Sequence, residues 1–400
     1  MMSSKRAEYD IIIGGAGPAG LSSAIFCGNR DKKVLVLEKK KDIGSEPRGE
    51  TLHYHEILDE LLGKGFMKKI TLSKTADRTY YAPDTNETIH KTRKTPSLIF
   101  DWKDLMQRLY NRAKEMNIEI KRDAEITELI LDGDTICGAV YKDSQGNKSK
   151  AFAKCVLACD GFNSIIGRKL KLDYKDKMFP IIKCILNHGN FENKSFKYFF
   201  IPHGSLDYAP DFPPTIAFIF PRDKDNFEAG IMIQKDIANM LDLPHLKEAD
   251  ITKVWVRLKD EYPVFSEMLK GSSISYEKLT GIPMTGPIES FVPHKGTVLI
   301  GDAAAFVEAS GGSGLVSSMI MAKEWVNLIC DALENTKRDI WSNQNIKDME
   351  HKFKKTKIYK KIKRKAKIYN WFRELLFKKW HTKEEIMNKW FWVKLIMKFA

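Results

Sequence analysis

A glycine-rich turn near the N-terminus constrains the fold of this chain more than any other feature. Residues 9–26, YDIIIGGAGPAGLSSAIF, place a short apolar run before a glycine cluster and small and apolar residues after it. This order predicts a strand, a tight turn and a helix whose N-terminal N–H groups can bind phosphate. Gly15 permits the sharp turn, Gly17 allows close approach to a pyrophosphate, and Gly20 lets helix and strand pack tightly. The candidate dinucleotide-binding residues are Gly15, Ala16, Gly17, Pro18, Ala19 and Gly20.

A second apolar run, residues 34–37, is followed directly by Glu38 and Lys39. An acidic residue at this distance from the glycine turn is placed to accept hydrogen bonds from ribose hydroxyls. A glycine pattern alone is weak evidence, but the preceding strand, the following helix and the acid together predict a dinucleotide cofactor. Glu38 and Lys39 are therefore further candidate cofactor residues.

Two later segments repeat the combination of a buried strand with glycine and aspartate. One apolar run ends at Asp160 and Gly161, and another, residues 298–300, ends at Gly301 and Asp302. Asp302 is placed to bind a sugar-like chain, and the glycine-rich start of the next helix directs unpaired N–H groups towards an electron-rich ring. The candidate residues of these segments are Asp160, Gly161, Gly301, Asp302, Gly312, Ser313 and Gly314.

Arg48 lies in a turn that precedes a predicted helix. Its guanidinium could reach cofactor phosphates or the substrate, or it could be an ordinary surface charge. The residues alone leave both interpretations open.

The segment from about 171 to 290 has a different character. It is rich in aromatic residues and prolines and alternates as strands do, which predicts a second, largely antiparallel domain. Aromatic stripes most often fill a core. A sheet above a cofactor could instead turn one aromatic face towards an apolar substrate, with Phe218 and Phe220 as candidate contacts.

We therefore predict an α/β fold: a Rossmann-like domain for a dinucleotide cofactor, an inserted antiparallel β-sheet substrate domain and a C-terminal helical basic tail. The predicted cofactor domain comprises residues 1–75, 101–170 and 291–335. Residues 76–100 are assigned to strands on the substrate side, 171–290 to the substrate domain and 336–400 to the tail.

Composition narrows the class of protein. The six cysteines are scattered through apolar segments without metal-ligand spacing, so we expect buried thiols in a reducing compartment and no metal site. The N-terminus has no apolar core of signal-peptide length, and no export signal is expected.

The positive charge of the chain is concentrated near its C-terminal end. The formal net charge is +14, and residues 351–400 contain 17 Lys and Arg against 3 Asp and Glu. The rest of the chain is balanced, which favours one anionic surface contact over nucleic-acid binding.

The tail interleaves these lysines with aromatic residues. Trp371, Phe372 and Leu376 share one predicted helical face, and a second apolar group follows in residues 390–397. No run of eighteen apolar residues occurs in the tail. Basic, Trp-rich amphipathic helices bind the interface of anionic membranes. The alternative is a helical cap packed on the protein's own body.

The three glycine-containing segments together resemble the FAD-binding motifs of a flavoprotein superfamily. GGAGPAG (14–20), LACDGFNS (157–164) and LIGDAAAF (299–306) are similar to motifs of aromatic hydroxylases, flavin halogenases and geranylgeranyl reductases. The resemblance covers roughly residues 8–335 and implies FAD as cofactor.

The resemblance also implies roles for the candidate residues. The first turn would line the pyrophosphate, Glu38 would hold the adenosine ribose and Arg48 would lie near the flavin. Residues 160–161 would belong to the motif linked with FAD and reduced nicotinamide contacts. Asp302 would hold the ribityl chain, and residues 312–314 would face the pyrimidine edge of the flavin.

Within that superfamily, residues 215–233 are similar to the geranylgeranyl reductase signature. Phe220, Pro221 and Gly230 match it, whereas Ile216 and Phe218 replace the usual Tyr and Trp. The Trp-x-Trp-x-Ile-Pro segment of halogenases is absent from the sequence. The resemblance therefore implies reduction of C=C bonds in isoprenoid chains of membrane lipids or prenyl compounds, by a peripheral membrane protein of the cytoplasm. NADPH, NADH or a reduced ferredoxin is the expected electron donor.

Two other functions fit the same residues. An FAD-dependent monooxygenase would hydroxylate an aromatic or polycyclic substrate and consume oxygen. A non-catalytic prenyl-lipid-binding protein would have a similar fold without using flavin, as the Rab escort proteins do, but the intact FAD motifs argue against it. The sequence names no catalytic residue for any of these functions.

Overall fold

The computed structural model describes residues 7–47, 49–172, 178–189, 194–203, 212–241, 248–309, 312–335 and 339–399. Its strands are β1 (Tyr9–Gly14), β2 (Val34–Leu37), β3 (Gly49–Leu52), β4 (Thr71–Tyr81), β5 (Thr88–Asp101), β6 (Glu119–Lys121), β7 (Glu125–Asp132), β8 (Thr135–Lys142), β9 (Lys148–Ala158), β10 (Met178–Asn187), β11 (Phe196–Ile201), β12 (Thr215–Pro221), β13 (Asn226–Ile233), β14 (Ser273–Pro283) and β15 (Thr297–Leu299).

The helices are α1 (Pro18–Gly28), α2 (Ile57–Leu62), α3 (Phe66–Ile70), α4 (Trp102–Glu115), α5 (Ile165–Lys169), α6 (Lys235–Met240), α7 (Glu248–Glu261), α8 (Pro263–Leu269), α9 (Leu315–Glu334), α10 (Asn343–Lys355), α11 (Lys357–Glu374), α12 (Lys383–Asn388) and α13 (Trp390–Phe399). A 3₁₀ turn covers Gly301–Ala304, and a π-helical turn covers Leu375–Lys379.

The first sheet has a parallel part in the order β6-β2-β1-β9-β15. Ile11 pairs with Val34 on one side and with Cys155 on the other, so β1 is central. Ile11 to Ile13 are completely buried, as expected for a parallel strand covered on both faces. The first half of β9 pairs with β8 in an antiparallel meander with β7. One strand therefore belongs to both parts of the sheet.

Helices α1, α4 and α9 pack around this parallel sheet. Their apolar faces share one core that includes Leu21, Leu109 and Trp325. Gly17 is the N-cap of α1, with Pro18 at the first helical position, and Gly314 is the N-cap of α9. Pro at this position loses no intrahelical hydrogen bond because the first N–H groups have no partner. Helix α1 thus begins directly after the turn that follows β1, whereas the 3₁₀ turn lies between β15 and α9.

The second sheet has eight strands in the order β14-β10-β13-β12-β11-β4-β5-β3. Neighbours are antiparallel except β11 and β4, which are parallel. Strands from residues 76–100 and 171–290 thus share one sheet, which β3 also joins. One face packs against α7 and α8 through buried Phe199, Phe227 and Trp255. The opposite face carries a second aromatic layer.

The C-terminal helices cover part of that opposite face. Leu376, Phe377 and Trp390 are buried in one cluster with Phe200 and Phe218 of the sheet. The chain after α10 is therefore part of the packed body on one side. Within the described ranges, no helix is long and apolar enough to cross a membrane.

Candidate functional site

A cavity of about 1060 Å³ lies between the two sheets and beneath the C-terminal helices. Its walls include the glycine turn after β1, the ends of β2, β9 and β15, and the aromatic face of the second sheet. Typical small-ligand cavities have volumes of roughly 300–1,000 Å³, so this cavity lies at the upper end of that range.

The first glycine turn forms one end of the cavity. Gly15 has φ +96°, and a Cβ atom there would lie 2.6 Å from the carbonyl oxygen of Cys159. A Cβ on Gly20 would lie 1.9 Å from the carbonyl oxygen of Gly15. A Cβ on Gly17 would meet nothing within 4 Å. Packing thus requires Gly15 and Gly20, whereas Gly17 leaves open space above the N-terminus of α1, as a bound phosphate needs.

Glu38 is held directly beside this turn. Its carboxylate accepts hydrogen bonds from the backbone N–H of Ala16 at 2.6 Å and of Lys40 at 2.8 Å. The carbonyl oxygen of Leu37 accepts one from Gly15. Lys39 also lines the cavity, as do Ala16, Pro18 and Ala19. The end of β2 and the glycine turn therefore form one surface.

Asp160 follows β9 and lies partly buried behind the same turn. Its carboxylate accepts hydrogen bonds from Ser164 Oγ at 2.6 Å and from the N–H of Ile166 at 3.1 Å. Burial raises the pKa of Asp160, although both hydrogen bonds oppose that change. Gly161, with φ +81°, lines the cavity. The side chain of Asp160 thus orders the loop that leads into α5.

The segment that contains Gly301 and Asp302 packs against the glycine turn at the start of α1. Gly301 has φ +70°, and its Cβ would lie 3.0 Å from the Cβ of Ala19 in α1. A Cβ on Gly314 would lie 2.8 Å from Oδ1 of Asp302. Asp302, Gly312, Ser313 and Gly314 line the cavity. The three turns that the sequence separates therefore converge on one cavity; Arg48 lies outside the described residues.

The second sheet supplies the aromatic wall. The rings of Phe218 and Phe220 are stacked with centroids 4.8 Å apart, and Phe220 lies 4.7 Å from Phe196. Tyr80 and Tyr198, which sequence reasoning missed, stack at 5.1 Å on the same wall. Their strand positions pair directly across β4 and β11, which depends on a register that the sequence does not reveal.

The aromatic wall also contains charged residues that the sequence analysis did not identify. Lys183 Nζ and Glu228 Oε1 form an ion pair at 2.9 Å, and Glu228 is buried. Residue 228 pairs across the sheet with Phe220. An acid inside an aromatic strand pattern is the sequence feature that marks this position, because an acid is rarely buried without a partner.

Glu46 connects the two sheets at the rim of the cavity. Its carboxylate pairs with Lys278 of β14 and with Lys40 beyond β2. Burial alone would raise the pKa of Glu46, but the two lysines lower it to about 2. The loop after β2 is thereby fixed to the second sheet.

The arrangement fits FAD. It combines an open glycine cradle at a helix N-terminus, an acid beside it, an aspartate at the end of β15 and a glycine-rich helix start. In the part of the chain that the structure describes, no group of three or more His, Cys, Asp or Glu is placed to hold a metal ion.

Comparison with known proteins agrees with this geometry. Residues 8–235, more than half of the chain, match the family described as FAD binding domain. Digeranylgeranylglycerophospholipid reductase 1 of Methanococcoides burtonii is 27% identical over 323 residues, covering 78% of this chain and 72% of that protein. Digeranylgeranylglycerophospholipid reductase 2 of Methanopyrus kandleri is 24% identical over 372 residues, covering 89% and 87%.

Solved structures share the fold. A geranylgeranyl bacteriochlorophyll reductase-like protein from Thermoplasma acidophilum superposes with a TM-score of 0.74 at 18% identity, covering 90% of this chain and 87% of that one. A flavin-dependent brominase superposes with a TM-score of 0.68 at 17% identity, covering 97% and 92%.

Fold and site define a flavin-dependent oxidoreductase of mixed α/β architecture. The chain belongs to the FAD binding domain family. The resemblance to geranylgeranyl reductases that the three motifs and residues 215–233 indicated is confirmed.

Proposed function

We propose that this protein reduces C=C bonds in the isoprenoid chains of membrane lipids, of the geranylgeranyl type. One observation carries the proposal: a single cavity joins the glycine cradle to an apolar wall that contains Phe218 and Phe220. The names of the relatives support the same substrate class.

The cofactor residues would act as follows. Gly15, Gly17 and Gly20 would shape the turn that holds the pyrophosphate of FAD, and Glu38 would bind the ribose of the adenosine. Asp302 and residues 312–314 would hold the other end of the cofactor. FAD bound there, once reduced by two electrons from NADPH, NADH or a reduced ferredoxin, would supply hydride to one carbon of the C=C bond, and a proton would add to the neighbouring carbon.

The aromatic wall would position the isoprenoid chain and exclude water. An isolated alkene is a poor electrophile, so orientation in a dry cavity must provide much of the rate. The second sheet is in this view the substrate domain, and the chain after β15 completes its cover.

The test is mass spectrometry of digeranylgeranyl glycerophospholipid after incubation with FAD-loaded protein and dithionite. The expected product gains mass in steps of two hydrogens. Gly17→Ala protein is the matched control. Unchanged lipid mass with full FAD occupancy would contradict the proposal, and substrate-dependent oxygen consumption would support the monooxygenase alternative.

The C-terminal helices support a second proposal, that the protein binds an anionic membrane from the cytoplasmic side. Phe391 and Trp392 are 69% and 55% exposed, and Trp371 is 53% exposed beside the cavity. Lysines surround them, which suits anionic headgroups. The six unpaired cysteines are typical of a reducing compartment. The neighbouring residues Trp390 and Val393 pack inward.

A further inference from the structure

Three basic side chains lie together on the cavity face of the second sheet. Arg78 of β4 pairs directly with Lys91 of β5, so the two side chains share a face. Arg93 lies two residues further along β5 and returns to that face. All three line the cavity.

The hydrogen-bond partners of Arg78 and Lys91 are neutral groups. Arg78 is 4% exposed, and its guanidinium donates hydrogen bonds to Ser97 Oγ at 2.7 Å and to the carbonyl oxygen of Asp77 at 3.0 Å. Lys91 Nζ donates to the carbonyl oxygen of Met397 at 3.0 Å. Nε of Arg93 is buried and, among the described residues, has no hydrogen-bond acceptor.

The cluster has no ion-pair partner among the residues that the structure describes. The ion pairs found within the described ranges include none of the three residues. Burial lowers the pKa of Arg78 and of Lys91, and the positive charge of Arg93 lowers each further. Like charges close together, one of them buried, are unfavourable unless a group of opposite sign joins them. An anionic ligand would supply that opposite charge.

An apolar wall continues directly from the cluster. The ring of Phe196 lies 4.0 Å beneath the guanidinium carbon of Arg78, and Tyr80 is two residues further along β4. Tyr80 stacks on Tyr198, which leads to Phe220 at 5.3 Å. The cavity therefore has a cationic end and an aromatic body, which matches an amphiphile with an anionic head.

We propose that Arg78, Lys91 and Arg93 bind the phosphate or diphosphate headgroup of the isoprenoid substrate, while the aromatic wall receives its chain. Arginine forms bidentate hydrogen bonds with phosphate oxygens, and lysine adds a point charge. This inference rests on the proposed isoprenoid substrate but not on its reduction. The phosphates of a pyridine nucleotide have the same chemistry, so the experiment must separate the two sources.

The experiment is isothermal titration of the full-length, FAD-loaded protein in detergent with geranylgeranyl diphosphate and with geranylgeraniol. The wild-type protein is expected to bind the diphosphate at least tenfold more tightly. Arg93→Gln and Lys91→Gln should each lose most of that preference and keep their affinity for the alcohol. Lys94→Gln is the matched control, because the adjacent Lys94 is exposed and does not line the cavity.

Several results would overturn the inference. Equal wild-type affinities for diphosphate and alcohol would do so, as would an Arg93→Gln protein that weakens both ligands equally. If Arg93→Gln weakens NADPH binding and leaves the prenyl diphosphate unchanged, the cluster serves the nucleotide instead. Because these titrations need no turnover, a headgroup preference without C=C reduction would refute the proposed function and retain this site.

Discussion

Arg373 of α11 and Asp236 of α6 form a bidentate salt bridge inside the protein. Nη1 and Nη2 of Arg373 lie 2.7 and 2.8 Å from the two carboxylate oxygens. The guanidinium is 2% exposed, donates to Gln234 Oε1 at 3.1 Å and lies 4.8 Å from the centroid of the Phe179 ring. This contact fixes the C-terminal helices to the aromatic sheet that they cover.

Removing one partner of this pair should be costly. Arg373→Met leaves the partly buried Asp236 without its counter-charge, and we expect the free energy of unfolding to fall by about 3 kcal/mol. Urea titration followed by tryptophan fluorescence measures it. Lys270→Ala breaks an exposed pair with Glu267 and should leave the midpoint unchanged. Equal effects of the two substitutions would contradict the structural role of Arg373.

Gly17→Ala separates folding from cofactor binding. Its φ of −74° suits alanine, and the added Cβ meets no atom of the protein. We expect an unchanged melting temperature without cofactor and an FAD affinity roughly tenfold lower, about 1.4 kcal/mol. Fluorescence titration with FAD measures the affinity. Gly20→Ala, which places Cβ on the oxygen of Gly15, should instead lower the melting temperature of the cofactor-free protein.

Glu46 gives the structure a pH dependence at acid pH. Its pKa is depressed from 4.5 to about 2, so its stabilising effect is complete above pH 4.5 and disappears as pH falls towards 2. Glu46→Gln should therefore lower the melting temperature at pH 6, and the difference from wild type should shrink at pH 3. A difference independent of pH would show that the ion pairs with Lys278 and Lys40 are not its cause.

Two buried phenylalanines on opposite faces of the second sheet should behave differently. Phe218 lines the cavity, whereas Phe227 packs beneath α7 and α8. Phe218→Leu should raise the KM for a prenyl lipid about fivefold, about 1 kcal/mol, through lost aromatic contact. Phe227→Leu should lower the melting temperature and leave KM unchanged. Steady-state kinetics and thermal unfolding of both variants give the comparison.

Membrane binding should depend on Phe391 and Trp392. We expect the double substitution of both residues by serine to reduce sedimentation with phosphatidylglycerol vesicles at least fivefold, without a change in melting temperature, since neither side chain is buried. Leu131→Ser removes an apolar group of similar exposure from β7 and should have no effect. Undiminished co-sedimentation of the double variant would rule out this surface.

The glycine-rich end of the cavity could be predicted from the sequence because its geometry depends on backbone conformations. The turn at Gly15 and the left-handed φ of Gly301 require residues without a side chain, and buried apolar strands precede both. Convergence follows because the carboxyl ends of neighbouring parallel strands meet at one edge of the sheet. The local pattern of an apolar strand followed by a glycine turn was therefore enough to indicate that these distant segments lie together.

Most of the opposite wall of the cavity could not be predicted in the same way, although Phe218 and Phe220 were identified from the sequence. Arg78 reaches the cavity because β4 pairs in parallel with β11, a contact between distant segments that leaves no local pattern. The exposure of individual residues in the C-terminal tail, 336–400, could not be predicted either. Its apolar spacing indicates an amphipathic helix, but the division between buried Trp390 and exposed Phe391 depends on which surface receives it.

The bond from Lys91 to the carbonyl oxygen of Met397 joins positions 306 residues apart. Closing so long a loop is entropically expensive and slow, so this wall of the cavity should form late in folding. Until then the tyrosines and phenylalanines of the second sheet would face water. A newly synthesised chain would therefore pass through an aggregation-prone intermediate. Chaperones or early binding of the cofactor would then determine what fraction of the chains reaches the folded state.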